Sequence, residues 1–223
     1  MALIELKDIE KSFRDGEEHQ NYVLRKLSMK VEAGEFVAIK GRSGSGKTTL
    51  LSILGTLLRP DGGSYLFNGQ ELTTPNLDLS KIRNTQIGFL FQDHRLMPQF
   101  TVLENILLPK LASCVQAEPS DIEYANKLME LMRISQLSGQ FPETLSGGEA
   151  SRVAACRALF MKPLLLLADE PTGQLDSDNA HHIVSLFKEI NSALHTTIIM
   201  VTHADDTAAA AGRILTLKEG MLI

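Results

Sequence analysis

Gly41-Arg42-Ser43-Gly44-Ser45-Gly46-Lys47-Thr48 has the residue types and spacing of a phosphate loop. It lies between the apolar run Phe36-Val37-Ala38-Ile39 and the helix-patterned run Leu50-Leu51-Ser52-Ile53-Leu54, so it reads as strand, loop, helix. Glycines leave no Cβ in the way, and successive backbone N–H groups can turn inward around a polyphosphate at a helix N-terminus. Lys47 is placed to neutralise the β- and γ-phosphates, and Thr48 to offer its hydroxyl to Mg²⁺. Two adjacent carboxylates, Asp169-Glu170, follow the apolar run Leu164–Ala168. At the end of a buried strand these acids suit separate tasks: Asp169 holding Mg²⁺, directly or through water, and Glu170 polarising an attacking water as general base.

Two further polar residues end apolar runs. His203 follows Thr197–Val201, and Gln92 follows Ile87-Gly88-Phe89-Leu90-Phe91, which reads as a fully buried strand. A lone histidine is commonly a satisfied polar residue, but at the same sheet edge as the carboxylates an imidazole donor would meet a γ-phosphate. Gln92 by itself fixes no role. Leu145-Ser146-Gly147-Gly148-Glu149 can be a plain capped helix start or, through its glycines, an anion-approachable one. Phe13 fits a core aromatic or a platform for a base.

The elements that must position these groups are legible in outline. Leu3–Leu6, Val23-Leu24 and Leu27–Val31 alternate like strands around the polar stretch Arg14–Asn21, predicting an antiparallel sheet with an exposed hairpin and a solvated acidic tip at Asp15–Glu18. From Gln92 to Pro163 the pattern is helical. Ser120-Asp121-Ile122-Glu123 predicts a capping box, with Ile122, Ala125, Leu128, Met129 and Met132 on one face. Asp176–Asp178 offers caps for a helix whose Ile183, Leu186, Phe187, Ile190 and Leu194 share one face. Arg213–Leu217 closes the sheet before a turn at Glu219-Gly220.

The whole chain narrows the function. Its 223 residues predict one compact α/β unit. The net charge of −5 and pI of 5.7 argue against broad nucleic-acid binding. The longest apolar run, Leu164–Ala168, is far below the roughly 20 residues of a membrane-spanning helix. Met1–Glu5 lacks the pattern of a secretory signal, so a cytosolic location is expected. Cys114 and Cys156 are too few for a disulfide framework and lack metal-ligand spacing.

Taken in order, Gly41–Thr48, Gln92, Leu145–Glu149, Leu164–Glu170, Gly173–Asp176 and His203 resemble the motifs of the ATP-binding subunits of ABC transporters. The resemblance implies a P-loop NTPase fold: a RecA-like core with an antiparallel β subdomain over about 1–91 and 164–223, and an inserted helical subdomain over about 92–163. It implies that Gly41, Arg42, Ser43, Gly44, Ser45, Gly46, Lys47, Thr48 and Thr49 bind ATP, with Phe13 on adenine. Mg²⁺ would be held by Thr48, Gln92 and Asp169, and Glu170, His203, Lys47 and Gln92 would act in hydrolysis. Ser146, Gly147, Gly148 and Glu149, on a remote helical arm, would serve the ATP of a second copy in a head-to-tail dimer, with Asp176 contacting across it.

Phe91–Asn105 and Pro171–Asp176 are similar to the branch that holds lipoprotein-releasing LolD, macrolide-exporting MacB and the cell-division protein FtsE. This implies a permease partner at the inner (plasma) membrane, to which the chain would be peripheral on the cytoplasmic face. Export or extraction of a lipoprotein, lipid or drug-like substrate is the implied work, with FtsE-like regulation or a soluble ABC ATPase as the rival readings. Ala150-Ser151, Gln174 and Ala204 depart from the usual pattern and leave the phosphate and base chemistry intact.

Overall fold

A computed structural model of the chain describes residues 2–15, 19–112, 114, 116–173 and 177–223. Its centre is a six-stranded sheet built from β3 (Phe36–Lys40), β6 (Ile87–Leu90), β7 (Leu165–Asp169), β8 (Thr197–Thr202), β9 (Arg213–Lys218) and β10 (Met221–Leu222). Their spatial order is β10-β9-β3-β8-β7-β6. From β9 to β6 all neighbours are parallel, and only β10 returns antiparallel, through a turn with left-handed Glu219 and Gly220. The register aligns the carboxyl ends: Lys40 faces Thr202, Asp169 faces Val201 and Leu90 faces Ala168. The phosphate loop, His203, Glu170 and Gln92 all follow these ends, so one sheet edge receives all four, where ligands of open parallel sheets bind.

Strand side chains alternate between two cores. Val37, Ile39, Leu165, Leu167, Ile199 and Val201 join α1 (Lys47–Leu54) and the second sheet on one face. That sheet, ordered β2-β1-β4-β5, comprises β1 (Ala2–Asp15), β2 (His19–Glu32), β4 (Gly62–Phe67) and β5 (Gln70–Glu71). A short α2 (Ser80–Gln86) adds Ile82 to the same core. Ala38, Leu166, Ala168, Ile198 and Met200 point the other way, into a core shared with α3 (Val102–Leu111), α4 (Pro119–Leu131), α5 (Gly147–Leu159) and α6 (Ser177–Leu194). A one-turn α7 (Asp205–Ala208) follows His203. Among the described residues, no helix is long and apolar enough to cross a membrane.

The expected hairpin forms, with strands of 14 residues each in place of the short runs read from the sequence. Pairing with a partner strand stabilises the polar positions between those runs, which one wet face leaves exposed. Gly16, Glu17 and Glu18 lie outside the described residues.

Local expectations need four corrections. The capping box of α4 is Glu118 with Asp121, two residues ahead of Ser120 with Glu123, because Pro119 takes the first helical position, where its missing N–H is no loss. Ile122 and Leu194 are exposed, each at the rim of its helix's apolar stripe. Leu164 is likewise exposed, one residue before β7 begins. Phe89 is only half-buried, since β6 is the sheet edge and pairs with β7 alone.

α5 rides directly on that edge. A Cβ built on Gly88 would stand 2.3 Å from the Ala158 carbonyl oxygen, so only glycine lets the helix backbone approach β6 this closely. Gly88→Ala is expected to destabilise the fold by about 1–3 kcal/mol through overpacking, seen as a lower denaturant midpoint with unchanged slope.

Candidate functional site

The phosphate loop leaves β3 and enters α1 through Gly44 (φ 78°) and Gly46 (φ 102°), in the left-handed region that glycine adopts without cost. Gly46 caps α1 with no side-chain acceptor, so the first-turn amides stay available to an anion. A Cβ at Gly44 would meet nothing within 4 Å, which marks the open side of the loop. Lys47 is nearly buried, at 7% exposure. Its ammonium curls back to donate to the carbonyls of Gly41 (2.8 Å) and Arg42 (3.2 Å), and lies 3.8 Å from Glu170 Oε1.

The carboxylates arrive from β7. Glu170 has φ 44°, held by its N–H donating to Val201 O and by Gly173 N–H donating to Glu170 O, both at 3.0 Å. This turn aims Glu170 at the neighbouring strand end, where its Oε2 contacts His203 Nδ1 at 2.5 Å. Gln92 approaches from the other side: its Nε2 would lie 3.4 Å, and Glu170 Oε2 3.6 Å, from a Cβ placed on Gly173. Thr48 and Asp169 line the same cavity, and the Asp169 carboxyl is pushed above the usual range by burial and then by the charge of Glu170.

These groups share one cavity of about 710 Å³, lined by Val23, Ser43, Gly44, Gly46, Lys47, Thr48, Thr49, Gln92, Asp169, Glu170 and His203. Gly41, Arg42 and Ser45 instead face a second cavity, of about 850 Å³, on the far side of the loop. Ser146, Gly147, Gly148 and Glu149 are absent from both linings. They form the first turn of α5 as a capping box, in which Glu149 N–H donates to Ser146 Oγ and Ser146 N–H to Glu149 Oε2. Phe13, 45% exposed on β1, is a surface aromatic and lies outside the cavity lining, with Lys11 Nζ 5.6 Å from its ring centre. Gln174 and Asp176 lie outside the described residues.

Val23 was not legible as a site residue, since an apolar strand residue in the N-terminal sheet carries no chemical signal. After His203, Ala204 leaves the acidic role to the next residue, and Asp205 pairs with Lys40 at the end of β3. Ser151 is fully buried on α5.

The donor set fits a hard divalent cation: the Thr48 hydroxyl and the Asp169 carboxylate line one cavity, beside a second carboxylate whose repulsion a cation would offset. Among the described residues no cluster of three or more His, Cys, Asp or Glu surrounds a metal position. The raised carboxyl of Asp169 carries a stability consequence. A folded-state pKa above the unfolded 3.8 means that ionisation costs stability, with the full cost reached once pH exceeds the folded value. Asp169→Asn is therefore expected to raise the melting temperature at pH 7 without nucleotide or Mg²⁺, by a margin that shrinks as pH falls toward 4, while Mg²⁺-dependent turnover drops by at least about tenfold.

Known proteins give the arrangement its context. The family model described as ABC transporter matches residues 24–173. The chain is 43% identical, over all of its length, to the macrolide export ATP-binding/permease protein MacB of Syntrophobacter fumaroxidans, and covers 31% of that protein. It is 39% identical to the lipoprotein-releasing system ATP-binding protein LolD of Porphyromonas gingivalis, covering 99% of this chain and 98% of that one. It thus spans about a third of the MacB relative and nearly all of the LolD relative. Among solved structures, a dimer of the ATP-binding cassette MJ0796 in a post-hydrolysis state, bound to ADP and Pi, matches with a TM-score of 0.89 and 36% identity, covering 98% of this chain and 96% of that one. With its phosphate loop, paired carboxylates and histidine converging on one sheet edge, and with these likenesses running along its whole length, the chain belongs to the ABC transporter family as an ATP-binding cassette.

Proposed function

We propose that the chain binds and hydrolyses ATP and, as a dimer closed around two nucleotides, drives a membrane permease. The observation that carries this reading is the meeting of Lys47, Thr48, Gln92, Asp169, Glu170 and His203 in a single cavity at the mouth of the phosphate loop. The loop amides and Lys47 hold the β- and γ-phosphates. His203, on the far side of Glu170, donates to the γ-phosphate, and Glu170 takes the proton of the attacking water. Thr48, Gln92 and Asp169 would hold Mg²⁺, which when bound would neutralise charge on the phosphate oxygens. Phe13, exposed on the sheet beside the loop, provides the stacking surface for adenine.

Ser146 and Gly148 are displayed away from the chain's own cavity, on a helix packed against β6, three strands from β3 and so about 14 Å across the sheet. Their capping box leaves amides at a helix N-terminus, which suits the phosphates bound by a second copy. Asp176 is assigned to the same interface. Beside Gln92, a groove of about 380 Å³ lined by Phe89, Phe91, Met97, Leu108 and Pro109, with Arg83, Arg95 and Arg157 also in its lining, is the surface we assign to the permease, because it joins apolar side chains to cationic ones and adjoins the loop that carries Gln92. The likeness to LolD and MacB favours export or membrane extraction of a lipoprotein, lipid or drug-like substrate, with the chain on the cytoplasmic face of the inner membrane. Affinity purification of the tagged chain from detergent-solubilised membranes tests the reading: it should bring down a polytopic membrane protein that raises ATP turnover. Recovery of ribosomes or nucleic acid in its place would overturn it.

A further inference from the structure

The loop that follows Gln92 is fastened to the helices. His94 (φ 57°) and Arg95 (φ 47°) are successive left-handed residues, a conformation L side chains rarely adopt. It turns both of their carbonyl oxygens toward one guanidinium. Arg157, on the last turn of α5, donates from Nη2 to His94 O at 2.6 Å and from Nη1 to Arg95 O at 2.7 Å. The His94 side chain is half-buried, and the residue's tie to α5 runs through its main-chain carbonyl. Farther along, Asn105 of α3 is fully buried, accepts from Met97 N–H, and donates to the carbonyls of Met97, Phe100 and Thr101. On the other side of Gln92, backbone pairing holds β6 to β7 as far as Leu90. Gln92 therefore occupies the short step between chain fixed to the sheet and chain fixed to α5.

We propose that Arg157 is a positioning residue that ties the placement of Gln92 to the placement of α5. The helix that presents Ser146–Glu149 at one end grips the Gln92 loop at the other. A shift of α5 relative to the sheet is carried through two rigid, forked hydrogen bonds into the cavity where Gln92 stands beside Glu170. Arginine suits the task because its planar fork reaches two carbonyls at once, which a lysine ammonium on a flexible stem does not reproduce. Arg157 does not line the nucleotide cavity, so its effect must pass through the loop.

This inference rests on the reading of the chain as an ATPase, and the test separates the two. ATP turnover and binding of a fluorescent ATP analogue are measured on the isolated full chain for wild type, R157K, Q92A and the R157K/Q92A double variant, with thermal melts to verify folding. R157K is expected to lower kcat about tenfold with the nucleotide Kd changed less than twofold, and the double variant to be no slower than Q92A alone, because two residues acting through one contact are not additive. A purely structural role would make the two losses multiply. R157K turnover within twofold of wild type, or multiplying losses, overturns the proposal. If R157K does not fold, R157Q, too short to reach both carbonyls, decides on the same criteria. A wild type that binds the analogue and turns over no ATP removes the ATPase reading itself, and the coupling with it.

Discussion

Glu170→Gln is expected to lower ATP turnover by about 10²–10⁴-fold while leaving nucleotide binding intact and accumulating an ATP-bound dimer. The glutamine is isosteric and can still accept a hydrogen bond from His203, but it cannot take a proton from water. The backbone should tolerate the exchange: the left-handed φ of 44° is fixed by the bonds to Val201 and Gly173, and glutamine meets no more strain there than glutamate. The specific loss therefore falls on the chemical step. Light scattering with and without ATP, paired with phosphate release, distinguishes the outcomes. Turnover within threefold of wild type would remove Glu170 from the role of base. A slow variant that stays monomeric with ATP bound would shift the weight of dimer closure to a membrane partner.

Lys47→Ala should weaken ATP binding and cut turnover by at least about 10²-fold, since it deletes a lysine ammonium lining the cavity, placed where phosphate charge must be neutralised. The exchange also leaves the carbonyls of Gly41 and Arg42 without their charged donor, so the loop itself loses a brace. The same variant tests whether two chains share each site. A Ser146→Arg chain keeps its phosphate loop and spoils its helix terminus, whereas a Lys47→Ala chain does the reverse. If loop and terminus come from different copies, mixing two inactive variants creates heterodimers with one intact site of two, and activity should recover to about a quarter of wild type. A mixture no more active than its parts would mean that each chain completes its own site.

The parts of this protein that the sequence disclosed are those whose physics is local. The phosphate loop needs particular residues at particular offsets, and a glycine-rich turn between an apolar strand and a helix is recognisable without knowing what surrounds it. Asp169, Glu170 and His203 were legible for a related reason, since each ends a run too apolar to lie anywhere but inside a sheet. The capping box at Ser146 was local too, and it formed as read. Where Ser120 was read as the start of a helix, Pro119 takes the first helical position and moves the cap to Glu118, because proline's fixed φ and missing N–H suit that position. Exposure at Ile122, Leu164 and Leu194 was not legible, because periodicity gives the direction of a side chain and says nothing about where its neighbour stops.

Other features exist only once the chain is folded. The order β10-β9-β3-β8-β7-β6 brings Lys40, Asp169 and Thr202 to one edge, although long stretches of chain separate them. Val23 enters the cavity from a strand whose sequence announces only a sheet. The bond from Arg157 to the loop after Gln92 spans 62 and 63 residues and ends on main-chain carbonyls, the one acceptor that every residue carries and no motif can mark. By itself the sequence determined which groups the chain has for phosphate chemistry and which strand ends carry them. Only the tertiary structure decided which of them meet, because adjacency across a parallel sheet is set by the packing of both its faces, and that sums over the whole chain at once.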